Sequence, residues 1–590
     1  MVPLTTTWFP TRTAREYPTT SSKSEAEEMF TRVVVMAARM MHRVVRDNSF
    51  ARRLPVGSAR YAWQMNARPG LRLLPLTAAL CAAAVTAGCS TPGSNADFSV
   101  GTDRTLVISL DELVAKSGKS AVLGVSLEPE HGNIVRRGDG SYEYTPVAGY
   151  RGLDQFKITT TDAVRLYTTD IPVLGEYGGT TVQGSGFGSA WTPVPGSADE
   201  FYGLTDRGPN VDGPAKNEKL TPVPAFVPKI GRFKLVGNRA VLQSSIELRA
   251  KSGVPFNGQV DIAASTGETI KDLQGTVLPP TDHGLDPEGL VALADGTFWV
   301  SDEYGPFLVH IAADGTEIER LSPGNGLPKE IALRTPNQGM EGLTVTPDGN
   351  TLVGVVQSAL NTPGLSGSAK EVPFARIVTV DLKTKAQKEF LYPLENPKQS
   401  KVAVSEITAL SATTFLVDER DGNLAPKSDK KIWTIDIAGA TDVGPQSTVP
   451  GAVYDAEKGG LLVDGKPLET FVGVTPTADA VAALTKVGVT PVAKKSNLDL
   501  SALVVALDDK GQFFGHDKIE GIATTDGGKT VYIANDSDFG LAASQGEQPP
   551  FGLKPKTLPN GLQDTGEVLA VDTTKLPAKL DGYTVRITVG

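Results

Sequence analysis

One pattern limits this chain more than any other: an acidic residue, a short apolar strand, a turn, a second apolar strand and then a polar cluster, repeated along its length. Glu288-Gly-Leu leads to Trp-Val-Ser-Asp302-Glu303, and Glu341-Gly-Leu leads to Val-Gly-Val-Val-Gln357. Ser405-Glu406-Ile leads to Phe-Leu-Val-Asp418-Glu419-Arg420-Asp421, and Glu520-Gly-Ile leads to Tyr-Ile-Ala-Asn535-Asp536. A looser copy runs from Gly186-Phe-Gly-Ser-Ala-Trp191 to Tyr-Gly-Leu-Thr-Asp206-Arg207. The turn is Asp-Gly in three units, a strong hairpin signal. The units begin near 187, 288, 341, 406 and 520, so two of the four gaps are about double the others. Degenerate copies are therefore expected near 237 and 463, for a repeat of about 55 residues. Such units with few helices predict an all-β fold, a β-propeller of six blades with seven as the alternative. One helix is predicted near Thr477–Lys486, capped by Thr477 and lying in an insertion.

In a propeller the innermost strand of each blade runs along the central channel, so acids scattered in sequence converge at one mouth. The expected ring is Glu288, Glu341, Glu406 and Glu520, with Asp286, Asp302, Glu303, Asp418, Glu419, Asp421 and Asp536 close by. Carboxylates so placed repel one another unless they are protonated, paired or metal-bound. Hard oxygen donors without cysteine favour Ca²⁺, for which Asp206, Asp286, Asp302, Glu303, Glu406, Glu419 and Asp536 are the candidate ligands. Arg207, Arg334, Arg420 and Lys518 stand among the acids and are the candidate holders of an anionic ester. Glu288, Glu341 and Glu520 are the candidate catalytic acids. His283 precedes Glu288 and is either a general acid or a turn histidine, and the same choice holds for His516. The competing reading is structural: Glu-Gly at a strand start bonds neighbouring blades, and Asp-Gly turns are ordinary hairpins. No GxSxG nucleophile elbow, GxxxxGK[ST] phosphate loop or zinc-spaced histidine occurs.

The 590 residues are long enough for more than one core. The alternation in residues 100–175, with Tyr142 and Tyr144 on one face and an Asp139-Gly140 turn, predicts a small N-terminal all-β module before a propeller spanning 176–590. From Met65 the run MNARPGLRLLPLTAALCAAAVTAGCS has the layout of an export signal over 65–88, followed by a linker over 89–99. Residues 1–64 lie upstream of it, and either Met65 is the natural start or the signal has an unusually long basic region. Cys81 and Cys89 are the two cysteines, so no disulfide framework exists. Residues 1–88 hold 12 Lys/Arg and 5 Asp/Glu, leaving 45 against 62 in the remainder, a net charge of −17. That balance argues against nucleic acid and suits divalent cations.

Three resemblances follow. Ala-Gly-Cys89 resembles a bacterial lipoprotein box, which implies lipidation of Cys89, membrane attachment through that anchor alone and a place in the cell envelope. Thr86 departs from the usual leucine. The stretch from Pro129 to Phe156 resembles cadherin-like or Ig-like modules of bacterial surface proteins, which implies that residues 100–175 are a small N-terminal β-sandwich, a spacer or adhesion module without chemistry of its own. Leu-Thr-Asp-Arg-Gly-Pro-Asn210, Gly-Leu-Asp-Pro-Glu-Gly289, Val-Ser-Asp-Glu-Tyr-Gly-Pro306, Asn-Gln-Gly-Met-Glu-Gly342, Asp-Glu-Arg-Asp421 and Lys-Ile-Glu-Gly521 closely resemble the phytase-like family with esterase-like activity. That resemblance implies a propeller like those of the calcium-dependent phytases and hydrolysis of phosphate monoesters or related esters at the channel mouth. It carries site acids onto Asp206, Asp286, Glu288, Asp302, Glu303, Glu341, Glu419 and Glu520. The expected protein is an exported monomer acting on a small ester. The alternative is a non-catalytic surface propeller that binds a glycan, a peptide or a metal.

Overall fold

The computed structural model describes residues 96–264 and 267–590. The export signal, the lipidation cysteine Cys89 and the upstream segment lie outside the described residues. Among the described residues no helix is long and apolar enough to cross a membrane.

Five four-stranded antiparallel sheets carry the repeat. Blade 1 is Ala190–Pro193, Glu200–Leu204, Lys229–Val236 and Arg239–Glu247, and blade 2 is Pro287–Ala292, Phe298–Asp302, Leu308–Ile311 and Glu317–Pro323. Blade 3 is Met340–Val345, Thr351–Val356, Phe374–Asp381 and Gln387–Pro393, and blade 4 is Ala403–Ala409, Thr414–Arg420, Lys430–Asp436 and Ala493–Asp499. Blade 5 takes Ile519–Ala523, Thr530–Asn535 and Glu567–Asp572 from the end of the chain and Val164–Thr169 from its beginning. The first strands touch in the cyclic order 1, 2, 3, 4, 5 and back to 1, so the ring is closed.

The ring therefore has five blades, where the repeat spacing predicts six or seven. The expected copy near 237 is the outer hairpin of blade 1, turning at Gly237 and Asn238. The rest of that long gap holds a separate small sheet of Val211–Asp212, Glu218–Thr221, Thr269–Asp272 and Val277–Leu278. The expected copy near 463 is an insertion between the third and fourth strands of blade 4. It comprises a three-stranded sheet with helices Leu468–Val472 and Thr477–Lys486. Helix Thr477–Lys486 lies where expected, but its cap position is Pro476, and the Thr477 hydroxyl donates instead to the Leu394 carbonyl at 2.6 Å. Spacing alone cannot tell an insertion from a degenerate blade, because both add short apolar strands.

Stacked blades bury both faces of a strand, which is why Phe298–Asp302 is buried at every position. One hydrophobic cluster fills each gap between neighbours: Leu204 with Leu290, Trp299 with Leu343, Val353 with Ile407, Leu416 with Ile533, and Val568 with Trp191. Each such side chain contributes on the order of 1.5–3 kcal/mol by leaving water. Five separate inter-blade cores, rather than one central core, hold the ring.

The N-terminal module packs two sheets about Tyr144, Phe156 and Ile158, with Tyr142 and Tyr144 on one buried face as the alternation requires. Its boundaries differ from 100–175 and 176–590. Val164–Thr169 leaves the module to become the outer strand of blade 5, and the last strand, Asp581–Val589, returns to pair along Gly152–Thr161. The module is thus sewn to the ring by both chain ends.

Candidate active site

The Glu-Gly repeat has a local physical cause. In blades 2 to 5 the first strand breaks register with the second, between Pro287 and Leu290, Met340 and Gly342, Val404 and Glu406, and Ile519 and Gly521. A bulge of this kind re-aims the extra side chain. The glycine beside it faces the next blade with no room for a side chain. A Cβ on Gly289 would lie 2.6 Å from the Leu343 nitrogen, and one on Gly342 would lie 2.7 Å from the Glu406 Cα.

The bulged positions are Glu288, Glu341, Ser405 and Glu520. Glu406 is therefore not a ring member. It stands where the other blades have glycine, and its carboxylate accepts from the Ile407 and Leu343 N–H groups at 2.8 and 3.0 Å, bonding blade 4 to blade 3. On the second strand, the residues one past the partner of the residue before each bulge are likewise equivalent: Glu303, Gln357, Arg420 and Asp536. Blade 4 thus presents Ser405 and Arg420 where its neighbours present acids or an amide.

These side chains open on a cavity of about 320 Å³ lined by Asp206, Arg207, Glu288, Glu303, Glu341, Arg420, Lys518 and Glu520. On one side Asp206, Asp286 and Glu288 each offer an oxygen within 4.8 Å of the others, and all three are buried. Arg207 lies 3.1 Å from Asp286, and its guanidinium also donates to Asn337 at 2.9 Å and to the Tyr304 hydroxyl. Burial, then the charges of Asp536 and Asp286, push Asp206 well above the carboxylate range. Burial, then Asp286 and Glu341, do the same to Glu288, and burial, then Glu341 and Asp286, to Glu303.

On the other side Arg420 donates to the Ser405 hydroxyl at 2.9 Å and pairs with Glu520. Lys518 pairs with Asp538 at 2.6 Å and Asp536 at 3.1 Å. Burial alone would lower Lys518, but Asp538, Asp536 and Glu520 outweigh it and hold the ammonium charged. Between the halves, Glu341 accepts from Gln357 Nε2 at 2.5 Å, while its second oxygen is buried without a hydrogen-bond partner. Burial, then the Glu520 charge, raise Glu341 to about 8, and burial raises Asp536 to about 7 despite Lys518.

Five other expected site residues are placed elsewhere. Asp302 caps a turn, accepting from the N–H groups of Asp286, Tyr304 and Gly305 at 2.8, 3.3 and 2.8 Å. Glu419 is held by the Tyr392 hydroxyl at 2.6 Å and by Lys494, because the strand's alternation turns it away from Arg420. Arg334 donates to the carbonyls of Ala332 and Tyr304 and lines a different cavity. His283 bonds the neighbouring Asp282 at 2.7 Å and does not line the mouth, so it is a turn histidine. His516 is sealed between Asp564 at 2.9 Å and Glu567 at 3.1 Å. The mouth also includes Asn210, Asn337, Gln338, Gln357 and Asp538. Gln357 follows from aligning the strand ends, whereas the four others carry no repeat signature.

The cation half fits a hard divalent ion. Its donors are all carboxylate oxygens and they converge.

The model of the phytase-like family, described as esterase-like activity of phytase, matches residues 183–539. The chain is 32% identical over 213 residues to an uncharacterized secreted protein of Arthroderma benhamiae, an alignment covering 28% of this chain and 41% of that protein. The chain thus spans about two fifths of that relative. Among solved structures, a periplasmic gluconolactonase of Pseudomonas aeruginosa aligns at 12% identity and a TM-score of 0.26, covering 68% of this chain and 88% of that one. Virginiamycin B lyase of Staphylococcus aureus aligns at 11% and 0.23, covering 79% and 99%.

Proposed function

The chain belongs to the phytase-like family, and on that premise we propose that it is an exported hydrolase of phosphate monoesters or related esters, acting at the propeller mouth with calcium. The observation that carries the proposal is the division of one small cavity into a converging carboxylate triad and a charged Arg420–Lys518 edge, with Glu341 between them. Buried acids of this density cost stability unless they are protonated, paired or ligand-bound. Asp206, Asp286 and Glu288 would hold the calcium ion, which when bound would polarise the ester oxygen and offset its charge.

The chain's own residues supply the rest. Arg420 and Lys518 orient the anionic group and stabilise charge that grows as the ester bond breaks. Holding Arg420 by the Ser405 hydroxyl fixes the guanidinium before substrate arrives. Gln357 occupies one Glu341 oxygen, so the proton resides on the unpartnered one, which can give it to the departing alcohol. Glu520, paired with Arg420 in the same cavity, can take a proton from the attacking water, so water's oxygen joins the acyl or phosphoryl centre as the alcohol leaves.

A second reading, a non-catalytic propeller binding a glycan, has one observation in its favour: Asn210, Asn337, Gln338 and Gln357 line the same cavity and suit hydroxyl groups. Hydrolysis of p-nitrophenyl phosphate, phytate and p-nitrophenyl acetate, with calcium and with chelator, decides between them. Calcium-dependent turnover is expected. Folded protein that binds a glycan and turns over nothing supports the second reading. Export rests on the 65–88 signal layout and on the secreted relative; lipidation at Cys89 and bacterial origin rest on the sequence resemblance alone.

A further inference from the structure

Beside the mouth, on the side of blades 4 and 5, lies a second cavity of about 540 Å³. Its floor is the loop after the second strand of blade 4, Gly422 to Lys427, and its far wall is Lys556 and Thr557. Asp538, Leu541 and Ala542 line both cavities, so the two are separated by a single shared wall.

The two differ in chemistry. The mouth is almost wholly charged or amide, whereas the second cavity offers Leu424, Ala425, Pro426 and Leu541 among its lining. Lys556 on its wall pairs with Asp538 at 2.5 Å and Asp517 at 2.9 Å. Lys427 is exposed at the edge, beside a surface that is half apolar. Arg420 and Lys518, which hold the anionic group in the proposed reaction, stand on the wall of the mouth nearest this cavity, on the same two blades.

We propose that the second cavity is the leaving-group subsite of the same reaction, selecting esters whose alcohol is bulky and half apolar, such as an aryl or polycyclic alcohol, over small alkyl esters. This rests on the hydrolase reading above. An ester with its anionic end against Arg420 and Lys518 projects its alcohol across Asp538 and Ala542 into this space. The apolar lining then recovers free energy in proportion to the area it covers, and a small alcohol leaves it in water.

The test compares kcat/KM for ethyl phosphate and 1-naphthyl phosphate in the wild-type protein, Thr557→Trp and Lys427→Trp. Thr557 and Lys427 line only the second cavity, so both variants fill it without touching the mouth. The wild type is expected to prefer the naphthyl ester. Either tryptophan is expected to cut the naphthyl to ethyl ratio about tenfold with ethyl phosphate turnover unchanged. Using the ratio between variants removes the different leaving-group acidities. The proposal is overturned if both variants, melting as the wild type does, leave the ratio unchanged or lower both rates equally. If the wild type turns over neither these esters nor the panel above, the hydrolase reading fails and takes the subsite with it. Turnover without a change in ratio removes the subsite alone.

Discussion

Two groups of buried charge in this protein use similar residues to opposite ends. In blade 3, Arg376 is fully buried and gathers three glutamates. Its Nε and Nη2 reach Glu469 at 2.8 and 3.0 Å, and its Nη1 lies 2.5 Å from Glu389 and 3.8 Å from Glu330. The Gly459 carbonyl and the Tyr454 hydroxyl complete the shell, tying the 437–492 insertion to the blade. There the cation sits at the centre and the acids surround it. At the mouth the order is reversed: carboxylates converge on the cavity, and Arg207, Arg420 and Lys518 stand at the edge. A buried acid cluster closed on its own arginine is sealed from solvent, even with Glu330 Oε1 and Glu389 Oε1 unpartnered, whereas one that converges on open space has room for a ligand.

The largest expected effect comes from breaking the sealed cluster. Arg376→Met leaves three buried glutamates without their cation and should cost about 3–5 kcal/mol in urea unfolding. A thermal shift on adding calcium should remain in this variant, because Asp206, Asp286 and Glu288 are untouched. Loss of that shift would mean that the two clusters are not independent.

At the mouth the corresponding change should spare the fold and affect turnover. Arg420→Met is expected to lower kcat/KM for p-nitrophenyl phosphate about a hundredfold, in the range found for losing one preorganised donor, and to lower it less for the acetate ester. Equal losses on both substrates would show that Arg420 positions the ring rather than the anion.

The third expectation concerns pH. Glu341 is raised from its usual value to about 8, so its neutral form is favoured in the folded state. Its contribution to stability is full below about pH 4.5 and is lost as pH rises through about 8. In chelator the urea midpoint should fall over that window and fall less in Glu341→Gln. An unchanged slope in the variant would assign the effect to other acids. The smallest effect belongs to Ser405→Ala, which removes one hydrogen bond to Arg420 and should cost about 1 kcal/mol. If activity then fell as far as in Arg420→Met, the hydroxyl would be the essential partner.

The sequence carried the blades and most of the mouth because both repeat. Period-two apolar strands and Glu-Gly bulges recur, so Glu288, Glu341 and Glu520 could be aligned without coordinates. Blade 4 misleads because its bulge falls on Ser405, one residue before Glu406, and a register shift of one turns a strand residue to the other face. Counting acids placed Glu406 and Glu419 at the mouth; counting register places Ser405 and Arg420 there. Blade number was hidden by two insertions whose own strands imitate the repeat. The closing strand of blade 5 was hidden because Val164–Thr169 lies almost 400 residues from its partner Glu567–Asp572. Asn210, Asn337 and Gln338 reach the cavity from long loops, where no period marks them.

The most direct test of the central claim is calorimetric calcium titration beside p-nitrophenyl phosphate turnover, in the wild-type protein and in Glu288→Gln. The account predicts that the wild type binds calcium and turns over the ester, and that Glu288→Gln, equally folded, loses most of both. Calcium binding and turnover that persist undiminished in Glu288→Gln would contradict it.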